Sequence, residues 1–217
     1  PSGEKQVITS ADGLNYSQMI NKTLYGAVAY DQAFGYLSNY DESMPDNVDP
    51  KSEGGSYTVA EHKWDEAFGY FGARRDFLNP ASVGDCIDLT SEHNFGWASY
   101  ATKRDNDTEN IAYRNGVMFK ADIFNAFVAG RAIIHNEGTV DELAPHMATI
   151  RTRFEQLCAA NVVHYVHSVL NAMGDLTEAS DAMSSESENY NKYWSEMRGF
   201  IISLQYNVGE VSGGLTS

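Results

Sequence analysis

In EHKWDEAFGYFG, which runs from Glu61 to Gly72, a histidine stands three residues before an aspartate and four before a glutamate. On a helix such positions lie on adjoining turns of one side. His62, Asp65 and Glu66 would therefore present an imidazole and two carboxylates together, a donor set that suits a metal ion once a second helix brings further ligands. A helical wheel sets these three and Gly69 opposite an apolar stripe of Trp64, Phe68 and Phe71. A solvated polar face is the plainer reading of any such cluster, and it stays open here.

The aspartate has a counterpart. AYDQAFGYLS, residues 29–38, is restated 34 positions later as KWDEAFGYFG, residues 63–72, with Asp31 in register with Asp65. Asp31 falls on or beside the apolar stripe of its own segment, and a buried aspartate needs a partner. Arg131, in VMFKADIFNAFVAGRAII, stands four residues after Phe127 and three before Ile134, on an apolar face. An arginine there points to a bidentate pair with a carboxylate of a facing helix, and Asp31 and Asp65 are the obvious candidates. A structural ion pair ranks ahead of a catalytic role. The alternative is an arginine whose stem crosses apolar surface while its head reaches water.

Other constellations are thinner. His164 and His167 form H-x-x-H, which could chelate a metal, but the H-E-x-x-H of zinc peptidases is absent. Asp105, Asp107 and Glu109 alternate like the start of a calcium loop. Asn110 and Gly116 then occupy the positions where an EF-hand needs glycine and glutamate. A different cation site using Asp105, Asp107 or the Asp46/Asp49 loop lacks further support. Cys86 and Cys158 have no metal-type spacing; one disulfide and two unrelated thiols are equally open. No phosphate loop, dinucleotide glycine run or G-x-S-x-G is present, so no organic cofactor is expected.

The elements that must position these groups are helical. Apolar periodicity predicts helices over 16–36, from Tyr57 to Phe71, over 117–135, over 140–173 and over 187–206. Thr58 with Glu61 three residues on forms a capping-box signature at the start of the second. Residues 79–116, rich in Asp, Asn and Gly, read as a long irregular connection with short helical turns at most. Strand-like alternation is nearly absent. The expectation is an all-α helical bundle with an internal duplication, one domain over 16–207 flanked by tails 1–15 and 208–217. A tetratricopeptide array fails, because no third copy follows at the 34-residue period.

A net charge of −15 disfavours nucleic acid and anionic membrane surfaces as partners. No segment approaches the roughly 20 apolar residues of a membrane span. The polar opening PSGEKQVITS is what a cleaved export signal or a lipoprotein anchor upstream would leave, as would a boundary drawn there.

LNYSQMINKTLYGAVAYDQA, SYTVAEHKWDEAFGYFG, FNAFVAGRAII and SEMRGFIISLQYN, spread over residues 14–207, together resemble a bacterial cell-envelope group of unknown function related to the imelysins. The resemblance implies a fold of duplicated helical-bundle halves and an exported protein, periplasmic, outer-membrane-anchored or extracellular. Imelysins carry G-x-H-x-x-E, a motif read first as a metallopeptidase site and later tied to iron-regulated uptake. His62 matches its histidine and Asp65 its acid, while Ala60 stands where the glycine would be. The expected function is non-enzymatic binding of a metal ion or an iron-containing small ligand in a bundle cleft. The metal would be divalent, or iron. Two alternatives follow: a structural or adhesive envelope component that contacts other envelope proteins, and a metal-dependent peptidase with Glu66 as general base.

Overall fold

Asn15 opens the first helix: its Oδ1 accepts from the Gln18 backbone N–H at 3.1 Å, and its own N–H donates to Ser195 Oγ at 2.8 Å. From that cap the chain runs through α1 (Tyr16–Leu24), a π-helical turn (Tyr25–Tyr30) and α2 (Asp31–Leu37). Then come α3 (Val59–Phe71), α4 (Gly96–Asn106), α5 (Phe119–His135), α6 (Val140–Leu176) and α7 (Ser185–Ser203). This computed structural model describes residues 9–48, 55–78, 94–107, 116–176 and 185–206. Among them no strand forms, and the fold is the expected all-α bundle.

The π turn has a specific cause. Ser203 of α7 inserts its hydroxyl where a regular turn would close, donating to Lys22 O at 2.6 Å and accepting from Gly26 N at 3.1 Å. The Tyr25 carbonyl accepts from Trp97 Nε1 at 3.1 Å. Groups loosened from the α ladder thus find partners, as buried backbone polar groups must. Gly26 permits the approach: a Cβ there would lie 2.5 Å from Ser203 Cα. The helix expected over 16–36 is therefore continuous but widened in its middle. Beside it, Lys22 and Glu196 form an ion pair at 3.4 Å with both side chains nearly enclosed.

The two copies of the repeated decapeptide pack on each other. Tyr40 contacts Trp64 and Tyr36 stacks on Tyr70, so α2 and α3 run antiparallel. Ala33, Ala67, Tyr30 and Trp64 are buried. The repeated glycines are not packing positions, since the space around a Cβ at Gly35 or Gly69 is empty to 4 Å.

One expectation about the connection over 79–116 is corrected. Residues 96–106 form α4, whose Trp97, Ala98, Tyr100 and Ala101 are buried. Trp97 lies in an aromatic cluster with Tyr25, Tyr30, Phe154 and Phe200, at centroid distances of 5.5–6.2 Å. Burial of apolar surface fixes this short helix despite its polar flanks. Asp105 at its end accepts from the N–H groups of Phe119 and Lys120 at 3.0 and 2.8 Å, placing a carboxylate on the α5 N-terminus.

The 37 residues of α6 span about 55 Å. Thr139 and Glu142 open it with reciprocal capping bonds of 2.7 and 3.3 Å. α6 packs against both α5 and α7. No helix among the described residues is long and apolar enough to cross a membrane. Leu14 and Asn15, at the end of the expected N-terminal tail, are buried. Residues 1–8 and 208–217 lie outside the described residues.

Candidate functional site

The start of α3 is held by two sets of bonds. Thr58 and Glu61 form the capping box, with the Glu61 N–H on Thr58 Oγ1 at 3.1 Å and the Thr58 N–H on Glu61 Oε2 at 3.0 Å. Asn47 then ties this corner to α5. Its Oδ1 accepts from Thr58 Oγ1 at 2.7 Å, and its Nδ2 donates to Ile134 O at 2.6 Å.

Glu61 thus enters the α3–α5 interface with one oxygen used in its cap. The other, Oε1, accepts from Arg131 Nη1 at 2.7 Å and lies 3.0 Å from His135 Nδ1. Arg131 Nε donates to Asp65 Oδ1 at 3.0 Å. One guanidinium therefore bridges two carboxylates a turn apart on α3. Burial alone would raise the Glu61 pKa, but the bonds from His135, Thr58 and Arg131 outweigh it and hold the carboxyl below its usual range.

Arg131 thus meets Asp65, while Asp31 lies on another surface. Asp31 is half-buried, and its Oδ2 accepts from neighbouring Gln32 Nε2 at 3.3 Å. The expected Asp31 partnership with Arg131 is corrected, because α2 turns that carboxylate toward solvent instead of toward α5. Glu61 was legible only as a capping acid. The signal for its second task was Arg131 and His135 spaced four apart on the facing helix.

His62 and Glu66 approach at 3.6 Å, and His62 stacks on Tyr57 with centroids 5.2 Å apart. Asp65 points to Arg131 instead, so the anticipated donors His62, Asp65 and Glu66 do not converge. No group of three or more His, Cys, Asp or Glu among the described residues is arranged to hold a metal ion. His164 Nδ1 faces Asp107 Oδ2 at 3.2 Å while His167 is exposed, so that pair does not converge either. Cys158 is a buried free thiol that donates to Phe200 O at 3.6 Å, and burial pushes its pKa up. Cys86, Asp49, Glu109 and Asn110 lie outside the described residues.

Next to the ion-pair network lies a cleft of about 440 Å³. Trp64, Asp65 and Phe68 of α3 form one wall, and Phe124, Phe127, Val128 and Arg131 of α5 form the other, with Arg75 from the turn that follows α3. That volume is in the range of small-molecule sites, which are mostly apolar with a few fixed polar groups. Phe68 packs edge-on against Phe124 and Phe127, at 5.9 and 5.4 Å. The Trp64 indole donates to Phe127 O at 2.8 Å and lies against Gly130, where a Cβ would come within 2.1 Å of the ring. Only glycine lets the two walls close at this depth.

The charge of the cleft runs against that of the chain. Arg131 offsets Asp65, and Arg75 is exposed and holds no ion pair among the described residues. Two guanidiniums and one carboxylate line an aromatic cleft in a protein of net charge −15. Such a lining favours a ligand with a flat apolar body and an anionic group.

A family model described as Domain of unknown function (DUF4856) matches residues 1–214. No curated protein and no solved structure matches the chain.

Proposed function

The chain belongs to the family described as Domain of unknown function (DUF4856), and we propose that it is a non-enzymatic binding protein whose α3–α5 cleft takes an iron-containing organic anion. The observation that carries this reading is the aromatic cleft lined by Arg75, which is exposed and holds no ion pair among the described residues. In such a complex the ligand's own donors hold the iron. The protein supplies apolar contact through Phe68, Phe124 and Val128 and a charge-assisted bond through Arg75. A bare ion bound by His62, Asp65 and Glu66 is the weaker form of the proposal, because Arg131 already engages Asp65. The likeness of EHKWDEAFGYFG to imelysin-type proteins supports the iron-linked and exported side of the reading. The peptidase alternative draws less support: it needs several side chains to hold a metal that activates water, and the one carboxylate in the lining, Asp65, is already ion-paired with Arg131.

Calorimetric titration of the full chain tests the proposal, with ferric citrate and a ferric catecholate as probes. The iron-free chelators and ferric and zinc salts serve as controls. A ferric chelate should bind, and Arg75→Gln should weaken it about tenfold, as loss of one charge-assisted bond would. Binding of neither chelate, or binding that Arg75→Gln leaves unchanged, would overturn it.

A further inference from the structure

The second half of α6 carries an apolar seam on the side away from the core. Leu157, Cys158, Asn161, Tyr165, Val169 and Ala172 face inward and are buried. Val163, Val166, Leu170 and Met173 face outward and are 42%, 37%, 59% and 48% exposed. Their 3–4–3 spacing is that of the a and d positions of a coiled coil, and it keeps the seam straight along the helix. The inward face packs on α7 through Tyr165 with Tyr193 and Phe200, and His164 beside it meets Asp107, the residue that follows α4.

Charge identifies what covers the seam. No Asp, Glu, Lys or Arg occurs between Glu155 and Asp175, in a chain with 30 acidic and 15 basic residues. A second copy of a body carrying −15 is repelled over most of its surface. Along α6 from residue 156 to residue 174 it meets no fixed charge. Charged flanks are also what make a helix seam select a different partner. Here the flanking positions are Val162, His167, Val169 and Gly174, none of which carries a fixed charge. A basic partner would gain nothing at this face and would bind the acidic remainder instead. Two copies related by a two-fold axis place the same seam against itself, as in most soluble homodimers.

We infer that α6 is a homodimer interface, in which Val163, Val166, Leu170 and Met173 pack against the same residues of an antiparallel second copy. A two-fold axis passing near Ser168 sets Val166 opposite Leu170 of the second copy, and Val163 opposite its Met173. The interface lies on a different helix from the cleft and uses none of its lining residues. A dimer therefore leaves the α3–α5 site available in each copy.

Sedimentation velocity of the full chain over a range of concentrations tests this, with circular dichroism reporting the fold of each variant. Wild type should sediment as a dimer. Leu170→Glu should shift the equilibrium toward monomer by tenfold or more, and the milder Leu170→Gln should shift it in the same direction. Ile20→Glu, at a 54% exposed apolar position on α1, should leave the dimer intact. A wild-type monomer at every concentration would overturn the inference, as would a dimer indifferent to both Leu170 variants. So would a dimer broken by Ile20→Glu alone. A monomer that dimerises only after residues 208–217 are removed would assign the face to the chain's own tail and overturn it equally.

Discussion

Two helix-interior glycines should respond to alanine with opposite signs. Gly→Ala in a helix interior ordinarily stabilises by about 0.5–1 kcal/mol, because glycine loses more backbone entropy on folding. Gly69 of α3 has only that effect available, with no atom within 4 Å of a Cβ built there. Gly130 of α5 is different: its Cβ would fall 2.1, 2.6 and 2.9 Å from three atoms of the Trp64 ring. The indole must move, and it is a fully enclosed side chain whose N–H bonds Phe127 O at 2.8 Å. Overpacking costs about 1–3 kcal/mol, and an enclosed donor left unpaired costs about 1–3 kcal/mol more. After the propensity gain of about 1 kcal/mol, Gly130→Ala should destabilise by about 3 kcal/mol net. For a chain of this size that lowers the Tm by roughly 6–12 °C. Urea titration with tryptophan fluorescence reads both the midpoint and the Trp64 environment. A Gly130→Ala protein as stable as wild type would refute the claim that this glycine sets the depth of the cleft. Equal destabilisation by Gly69→Ala would refute the reasoning behind the contrast.

Other perturbations follow from the same contacts. Ser203→Ala removes the hydroxyl that serves both Lys22 O and Gly26 N; it should cost about 1–3 kcal/mol in urea denaturation, and Ser203→Thr should recover less than half. Glu61 has a lowered folded pKa, so its contribution to stability is present above the ordinary carboxylate range and is lost as pH falls through the lowered value. Glu61→Gln should therefore flatten the acid limb of a stability–pH profile. Arg75→Gln should leave Tm unchanged while weakening the ferric chelate, which separates binding from folding.

Helix existence was legible because apolar residues at three- and four-residue spacing leave a strong trace over long segments such as α5 and α6. α4 was less legible because its burial depends on partners from α1, α6 and α7, and its ends are marked by residues that usually terminate helices. The π turn had no local signature, since it exists to receive a hydroxyl from residue 203. In the site, Arg131 was readable as a charge on an apolar face, and Asp65 was one of two candidates. Choosing between Asp65 and Asp31 required the helix positions, because both occur in the same sequence context. Glu61 was hidden by its own capping motif, which accounts for only one of its two oxygens. The cleft was the least legible part: Phe68, Phe124 and Val128 are apolar residues on apolar faces, and that they line open space shows only once α3 and α5 are placed side by side.

The repeated decapeptide shows how near-identical sequence can serve one copy as structure and the other as a site. Phe34 and Phe68 hold the same register. In α2, Phe34 is 3% exposed and packs on Phe154 of α6 and on Tyr30. In α3, Phe68 packs on α5 instead and lines the cleft. Tyr30 and Trp64 are both buried, yet only the indole donates to the backbone of α5. The aspartates diverge most: Asp31 bonds its own neighbour, whereas Asp65 meets an arginine of another helix. Every one of these differences traces to α5, which lies against the second copy through Gly130 and brings Arg131 with it. The repeat therefore supplies two equivalent helices, and the third helix makes them unequal. Transplanting α3 residues into α2 would accordingly build no second cleft, because α2 has Phe154 of α6 where α3 has Arg131, Phe124 and Val128 of α5.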